Sequence, residues 1–258
     1  MKLSIITVNR NNAEGLEKTI LSVINQKFTD YEYIIIDGNS TDDSIEIINK
    51  YSEHISFWVS EPDSGIYNAM NKGIKKANGE YVIFMNSGDC FFNNYSLEKI
   101  FSVEQIEDFL IGETIINWKY FKERTRIPSK LTSYHLMTES VSHQATFIKR
   151  KLFDEIGYYD ESLMICSDWK FVLIAFVKYN KSIKKLTETI ALIDVNGISN
   201  SKKFLPKKRK EREDTLLTCF PQLYDDYKEL YRIKRLSFFR IKKHIKWRFR
   251  NFIRIWGD

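Results

Sequence analysis

The 258 residues leave room for one large α/β domain and too little for two enzyme domains of ordinary size. With 43% apolar and 29% charged residues, four prolines and ten glycines, the composition excludes disordered and low-complexity classes. The net charge of +6 hides an asymmetry: residues 1–201 hold 22 Lys and Arg against 27 Asp and Glu, whereas residues 202–258 hold 18 against 7.

Cys90, Cys166 and Cys219 are widely separated and form no CxxC pair, so neither a disulfide framework nor a zinc cluster is indicated and a reducing compartment fits. The apolar start, Met1 to Val8, meets Asn9-Arg10-Asn11-Asn12 too soon for a signal peptide. No run reaches the roughly 18 apolar residues of a spanning helix. The expected location is the cytoplasm.

Leu3 to Val8 reads as a buried strand, and Leu16, Ile20, Val23 and Ile24 give Ala13 to Asn25 a helical period. Tyr33 to Ile36 is a second apolar run ending at Asp37. The segment Gly38-Asn39-Ser40-Thr41-Asp42-Asp43 then combines a turn with helix-start residues, ahead of the apolar face Ile45, Ile47, Ile48 and Tyr51. A strand near Ile55 to Val59, a helix from Gly65 to Ala77 stopped by Asn78-Gly79, and a strand from Tyr81 to Met85 continue the alternation. This rhythm predicts an α/β fold with a mostly parallel sheet flanked by helices, whose ligands gather at the carboxyl ends of the strands. Asn9, Asp37 and Asp89 lie at those ends.

Farther on, the pattern predicts a helix at Leu97 to Phe101, strands at Phe109 to Ile116 and Thr146 to Ile148, and a helix at Lys151 to Ile156. Asp168 to Tyr179 reads as a helix with Phe171, Ile174, Ala175 and Val177 on its buried side. Lys202 to Arg212 is basic and poor in apolar residues, so the junction is placed there, with a body of 1–201 and a basic helical tail of 202–258. In the tail, Phe238, Ile241, Ile245, Phe249, Phe252 and Trp256 form one helical stripe, with Lys242, Lys243, Lys246, Arg250 and Arg254 around it. That composition suits a helix lying on an anionic membrane surface, where each cation contributes about 1 kcal/mol. Packing of the stripe on the body or on another subunit is the alternative. Nucleic acid is disfavoured, because no recognition motif accompanies the charge.

Asp89 follows a buried strand, with Ser87 and Gly88 as small neighbours; a lone carboxylate there can hold a divalent cation against a closely approaching phosphate. Four motifs in order, Ser4-Ile5-Ile6-Thr7-Val8-Asn9, Ile35-Ile36-Asp37-Gly38-Asn39-Ser40-Thr41-Asp42, Asn71-Lys72-Gly73 with Gly79-Glu80-Tyr81, and Asn86-Ser87-Gly88-Asp89, resemble glycosyltransferase family 2 over roughly Lys2 to Gly197. The resemblance implies a GT-A fold and an inverting nucleotide-diphosphosugar transferase of hexosyltransferase type. It implies a donor site containing Thr7, Asn9, Asp37, Asp63, Asn71, Lys72, Asn86, Ser87 and Gly88, with Asp37 accepting the imide N–H of the base and Asp89 holding Mn²⁺ or Mg²⁺.

Each of these has a plainer reading. Asp37 can cap a turn, Asp63 can cap the Gly65 helix, and Lys72 with Lys75 and Lys76 can form a solvated face. Asn86 and Gly88 stand where relatives often carry acids, so a single protein carboxylate must suffice for the metal. Asp168, in Ser167-Asp168-Trp169, matches the family's general base, although a helix N-cap would also explain an aspartate there. His143 is a candidate for the metal, the donor phosphate or the acceptor pocket, and Trp169 for stacking on a sugar or for burial.

The expected donor is a UDP-sugar and the expected acceptor a glycan or lipid-linked molecule of bacterial cell-surface polysaccharide synthesis, met at the inner face of the cell membrane. Residues 1–100 are assigned mainly to the donor and 101–201 to the acceptor. A nucleotidyltransferase is a competing reading, though no glycine-rich phosphate loop follows the first strand. A noncatalytic membrane or nucleic-acid adaptor is another.

Overall fold

The computed structural model describes residues 1–117, 121–128, 130–194 and 201–236. Strand β1 (Leu3–Asn9) is buried along its whole length and pairs in parallel with β2 (Tyr31–Asp37) on one side and β4 (Tyr81–Phe84) on the other, while β2 pairs in parallel with β3 (Phe57–Ser60). Parallel neighbours need crossovers, supplied by helices α1 (Ala13–Ile24), α2 (Ser44–Lys50) and α3 (Ile66–Lys76). Asn12 caps α1 by accepting the N–H of Gly15, and Leu16, Ile20 and Val23 bury its inner stripe. Gly73 lets α3 lie close against the sheet, since a Cβ there would stand 2.5 Å from the Ile6 side chain. Parallel register sets Asn9 beside Asp37 and Asp37 beside Ser60, a polar row at the carboxyl edge of an otherwise apolar sheet.

The second half departs from that regularity. Its elements are β5 (Cys90–Phe91), α4 (Ser96–Phe101), β6 (Phe109–Asn117), β7 (Lys122–Thr125), α5 (Ser133–Thr138), β8 (Thr146–Lys149), α6 (Lys151–Ile156), α7 (Ser167–Val177) and β9 (Ile183–Asp194). The sheet order is β3-β2-β1-β4-β8-β6-β9-β5, with β7 on β6. Parallel pairing thus holds through β3-β2-β1-β4, and the sheet is mixed beyond it, because β8 runs antiparallel between β4 and β6 and β5 antiparallel to β9. Pairing of Cys90 with Leu192 brings the end of β9 to the turn that carries Asp89.

Helix α7 buries Trp169, Phe171, Val172, Leu173 and Ala175, whereas Ile174 and Val177 are only half-buried. A helix enclosed on more than one face carries no single apolar stripe, which is why periodicity misassigned its inner side.

The compact unit containing the sheet runs to Arg212 rather than to residue 201, and Glu213 to Asp258 form a second unit. A 3₁₀ turn (Lys202–Phe204) leads into α8 (Leu205–Cys219). Charge counting placed a junction over Lys202 to Arg212, yet Glu211 in that stretch is buried and binds the backbone of Met164, Ile165 and Cys166. One buried acid attaches a segment whose average composition is that of a solvated linker. In the second unit residues 221–236 are helical, and Tyr224 and Lys228 both donate to Glu213. The stripe from Phe238 to Trp256 and the loop Asn196 to Ser199 lie outside the described residues. No helix among the described residues is long and apolar enough to cross a membrane.

Candidate active site

A cavity of about 440 Å³ opens at the carboxyl ends of β1 and β4. Asn9, Arg10, Asn12, Asp63, Asn86, Ser87 and Asp89 line one side; Tyr67, His143, Gln144, Met164, Ile165, Asp168 and Asp194 complete it. The first group comes from the tips of β1 and β4 and the loop before α3, and the second mostly from elements made after residue 140. Tyr67, from α3, is the exception to that division.

Asn9 is 4% exposed, and its Nδ2 donates to Asp37 Oδ1 at 2.8 Å, Ser44 Oγ at 2.9 Å and Ser40 Oγ at 3.3 Å. Its Oδ1 is buried without a partner among the described residues. Asp37 is 0% exposed and does not line the cavity. Besides Asn9, it accepts from Ser40 N–H at 2.8 Å, Ser40 Oγ at 2.6 Å and Ser60 Oγ at 2.6 Å. Four donors occupy the carboxylate expected at the nucleotide base, so it anchors Asn9 from beneath instead.

Several other residues assigned to the donor lie behind the wall. Thr7 donates to Met85 O at 2.7 Å and meets the Tyr33 hydroxyl at 2.9 Å inside the sheet. Asn71 donates to Tyr159 O and Glu161 Oε1 and accepts from Tyr159 N–H, which clamps the 159–161 segment onto α3. Lys72 pairs with Glu61 at 2.8 Å and donates to Pro62 O at 2.8 Å, holding the loop that presents Asp63. Asp63 lines the cavity while accepting from Gly65 N–H at 3.0 Å. Gly88, at φ +101°, makes the turn before Asp89 in a left-handed conformation that favours glycine. Trp169 is buried and donates from Nε1 to Leu136 O at 2.6 Å, so its ring does not reach the cavity.

Asp89 is 6% exposed; its Oδ1 accepts from Asp194 N–H and its Oδ2 from Gln144 Nε2, each at 2.9 Å. Burial raises its carboxyl above the ordinary range, against the opposing effects of Gln144, His143 and the Asp194 N–H. Both carboxylate oxygens retain a lone pair, and the Asp194 carboxylate lies over Gly88, 3.5 Å from where a Cβ would stand. The buried Asn86 Oδ1 has no partner among the described residues. These are hard oxygen donors of the kind Mg²⁺ and Mn²⁺ prefer. No cluster of three His, Cys, Asp or Glu side chains is present among the described residues, so the remaining ligands would have to come from diphosphate and water.

Elsewhere in the lining Asp168 Oδ1 accepts the Tyr67 hydroxyl at 2.9 Å, and Oδ2 accepts His143 Nδ1 at 3.2 Å. His143 Nε2 faces the Asn86 amide nitrogen at 3.2 Å, which assigns the neutral ring a proton on Nδ1 and an acceptor at Nε2. Burial alone would raise Asp168, but the bond and charge of His143, with the Trp169 N–H and Tyr67, hold it below the ordinary carboxylate range. Burial likewise pushes His143 down, and Asp168 followed by Asp89 more than offsets this, leaving it raised. Burial and the neighbouring Asp168 charge keep Tyr67 protonated, so it serves as a donor. An ionised carboxylate held on both oxygens can accept a proton from a hydroxyl entering the cavity.

Tyr67, Gln144, Asp194, Arg10 and Asn12 are site residues that sequence reasoning passed over. Gln144 sits beside His143, a residue already singled out, and Asp194 ends a strand, the same signal that pointed to Asp37 and Asp89. Nothing local marks Tyr67.

Residues 4–157 match the family described as glycosyl transferase family 2. An uncharacterized glycosyltransferase of Mycobacterium tuberculosis is 33% identical over 184 residues, covering 67% of this chain and 68% of its own. The Staphylococcus aureus poly(ribitol-phosphate) beta-N-acetylglucosaminyltransferase TarP is 38% identical over 119 residues, which span 43% of this chain and 36% of TarP. Among solved structures, S. aureus TarS with UDP-GlcNAc aligns at TM-score 0.67 and 20% identity, covering 84% of this chain and 67% of TarS. A mannosyltransferase from Pyrobaculum calidifontis, in complex with GDP-Man and Mn²⁺, aligns at 0.63 and 14% identity, over 87% and 64% of the two chains. The architecture is the GT-A fold, and the protein is a glycosyltransferase. It belongs to glycosyltransferase family 2.

Proposed function

We propose that this glycosyltransferase moves a sugar from a UDP-sugar to a glycan or lipid-linked acceptor of a bacterial cell-surface polysaccharide, with inversion and with a divalent cation. The observation that carries the reading is a single cavity lined both by Asn9, Arg10 and Asp89 and by Asp168, whose carboxyl is held low. Asn9, which lines the cavity with its amide fixed by Asp37, would face the uracil base. Arg10 supplies a cation on the diphosphate side. Asp89, with Asp194 and Asn86, would hold the metal, which when bound neutralises charge growing on the leaving diphosphate.

Asp168 takes the proton of the acceptor hydroxyl, while Tyr67 and His143 restrain its two oxygens. Inversion is carried over from membership of glycosyltransferase family 2. The relatives support the substrate classes: TarS is bound to UDP-GlcNAc, TarP acts on poly(ribitol-phosphate), and a Mycobacterium bovis relative, 27% identical over 179 residues, is a PGL/p-HBAD biosynthesis glycosyltransferase. The cationic stripe from Tyr227 to Trp256 would hold the enzyme at the inner membrane face, where a lipid-linked acceptor is confined.

Thermal shift with UDP-, GDP- and dTDP-sugars in Mn²⁺ or Mg²⁺, followed by assay of nucleotide release, tests the proposal. A UDP-sugar should stabilise the protein and be turned over only when a divalent ion is present. Stabilisation by GDP- or dTDP-sugars alone, or full turnover in chelator, overturns it.

A further inference from the structure

Glu211 takes no part in the chemistry just described, yet it is bound where the acceptor wall begins. The residue is 4% exposed, and its Oε1 accepts Met164 N–H at 2.9 Å while Oε2 accepts Ile165 N–H at 3.0 Å and Cys166 N–H at 3.1 Å. Met164 and Ile165 line the cavity, Cys166 is the N-cap of α7, and Asp168 follows two residues later. Three consecutive N–H groups converging on one carboxylate form an anion nest that specifies the peptide orientations of the segment.

The N-cap of α7, Cys166, makes no side-chain capping hydrogen bond of its own, and the buried Ser167 hydroxyl has no partner among the described residues. Glu211 therefore supplies from 45 residues downstream the negative charge that a helix N-terminus ordinarily finds in its own cap. Lys207, one turn earlier on α8, is 3.8 Å away and half exposed, so the three N–H donors are the main compensation for burying the charge. Next in the chain, Arg212 stacks 4.4 Å from the Trp169 ring and donates to Met137 O at 3.3 Å, which fixes the residue that follows Asp168.

We infer that Glu211 is a positioning residue for glycosyl transfer: its carboxylate orders residues 164–166 and thereby aims Asp168 and shapes the acceptor wall. The inference rests on Asp168 being the general base. It makes the basic stretch 202–212 part of the catalytic unit instead of a linker.

The test uses full-length E211A and E211Q beside the parent and D168N. Hydrogen exchange is followed at residues 164–166, UDP affinity is measured with Mn²⁺, and turnover is measured with the UDP-sugar that stabilises the parent. In E211A those amides should exchange about tenfold faster or more, and kcat should fall by about tenfold or more. UDP affinity should stay within about twofold of the parent. E211Q keeps one acceptor oxygen and should lie between the two, and it carries the test if E211A does not fold. Faster exchange with parent-like kcat would reduce Glu211 to a stabilising contact, and unchanged exchange would remove the contact itself; either overturns the inference. Parent-like turnover in D168N instead overturns the base assignment, which the exchange result does not depend on.

Discussion

The two walls of the cavity are built by different means. Asn9 lines the cavity, and Asp37 and Ser60 behind it come from adjacent parallel strands whose register alone sets the three in a row, so the proposed donor side is a property of the sheet edge. The acceptor side joins Tyr67 from α3, His143 from a 3₁₀ turn, Asp168 from α7 and Glu211 from α8, with contacts spanning 25 to 101 positions in the chain. A wall made by strand register is insensitive to any one side chain, whereas a wall assembled from distant elements depends on each polar bond between them.

Substitutions should expose that difference, and the largest effect is expected on the acceptor side. Asp168→Asn removes the proposed base and should lower kcat by roughly 10²–10⁴-fold while UDP binding, followed by calorimetry, is retained. Asp89→Ala should cost about 10²-fold in turnover, and added Mn²⁺ should no longer stabilise the UDP complex in thermal shift. Because burial holds the Asp89 carboxyl up, metal activation in the parent should weaken as pH falls.

His143→Ala should reduce kcat by about tenfold and move the acid limb of the kcat/KM profile to higher pH. The sign follows from the causes: without His143, burial is the chief influence left on Asp168, and it raises the carboxyl. In the parent, Asp168 is held below 3.8 and contributes stability above that pH, lost as pH falls through its folded value. His143 is held above 6.5 and contributes below that pH, lost as pH rises through its folded value. The pair is therefore fully coupled between 3.8 and 6.5, and a plot of melting temperature against pH for parent and His143→Ala should differ most in that window.

On the proposed donor side, Asp37→Ala frees Asn9 and leaves the half-buried Ser40 and Ser60 hydroxyls without that acceptor. It should destabilise the fold by about 1–3 kcal/mol, raise the donor KM and leave kcat near the parent value. Equal losses of kcat from Asp37→Ala and Asp168→Asn would erase the contrast between the walls. The smallest effect on chemistry is expected from removing residues 227–258, which should release the protein from anionic vesicles in a flotation assay while donor hydrolysis persists. Truncation after residue 201 should instead abolish turnover, because it also removes Glu211.

The elements of the first hundred residues could be read in advance because each is specified locally. Strands end in polar tips, and Asn78-Gly79 marks a helix limit. Asn9 and Asp89, which line the cavity, stand out at strand ends for the same reason. Asp37 was visible too, but not the serines that surround it, since Ser40 and Ser60 look like ordinary turn and strand residues until folding gathers them. Glu211 was concealed by its neighbours: among Lys207, Lys208, Arg209, Lys210 and Arg212 an acid appears to be one more solvated charge.

From residue order alone came the α/β class, the parallel donor half, the glycosyltransferase family resemblance and the strand-end carboxylates, all of which depend on patterns a few residues long. Folding was needed to seal Asp37 behind Asn9, to join Tyr67, Asp168, His143 and Asn86 in one chain of hydrogen bonds, and to bring a distant glutamate under the catalytic helix. Those features are pairings across dozens of residues, and a buried polar group finds its partner only once the backbone between them has been laid down.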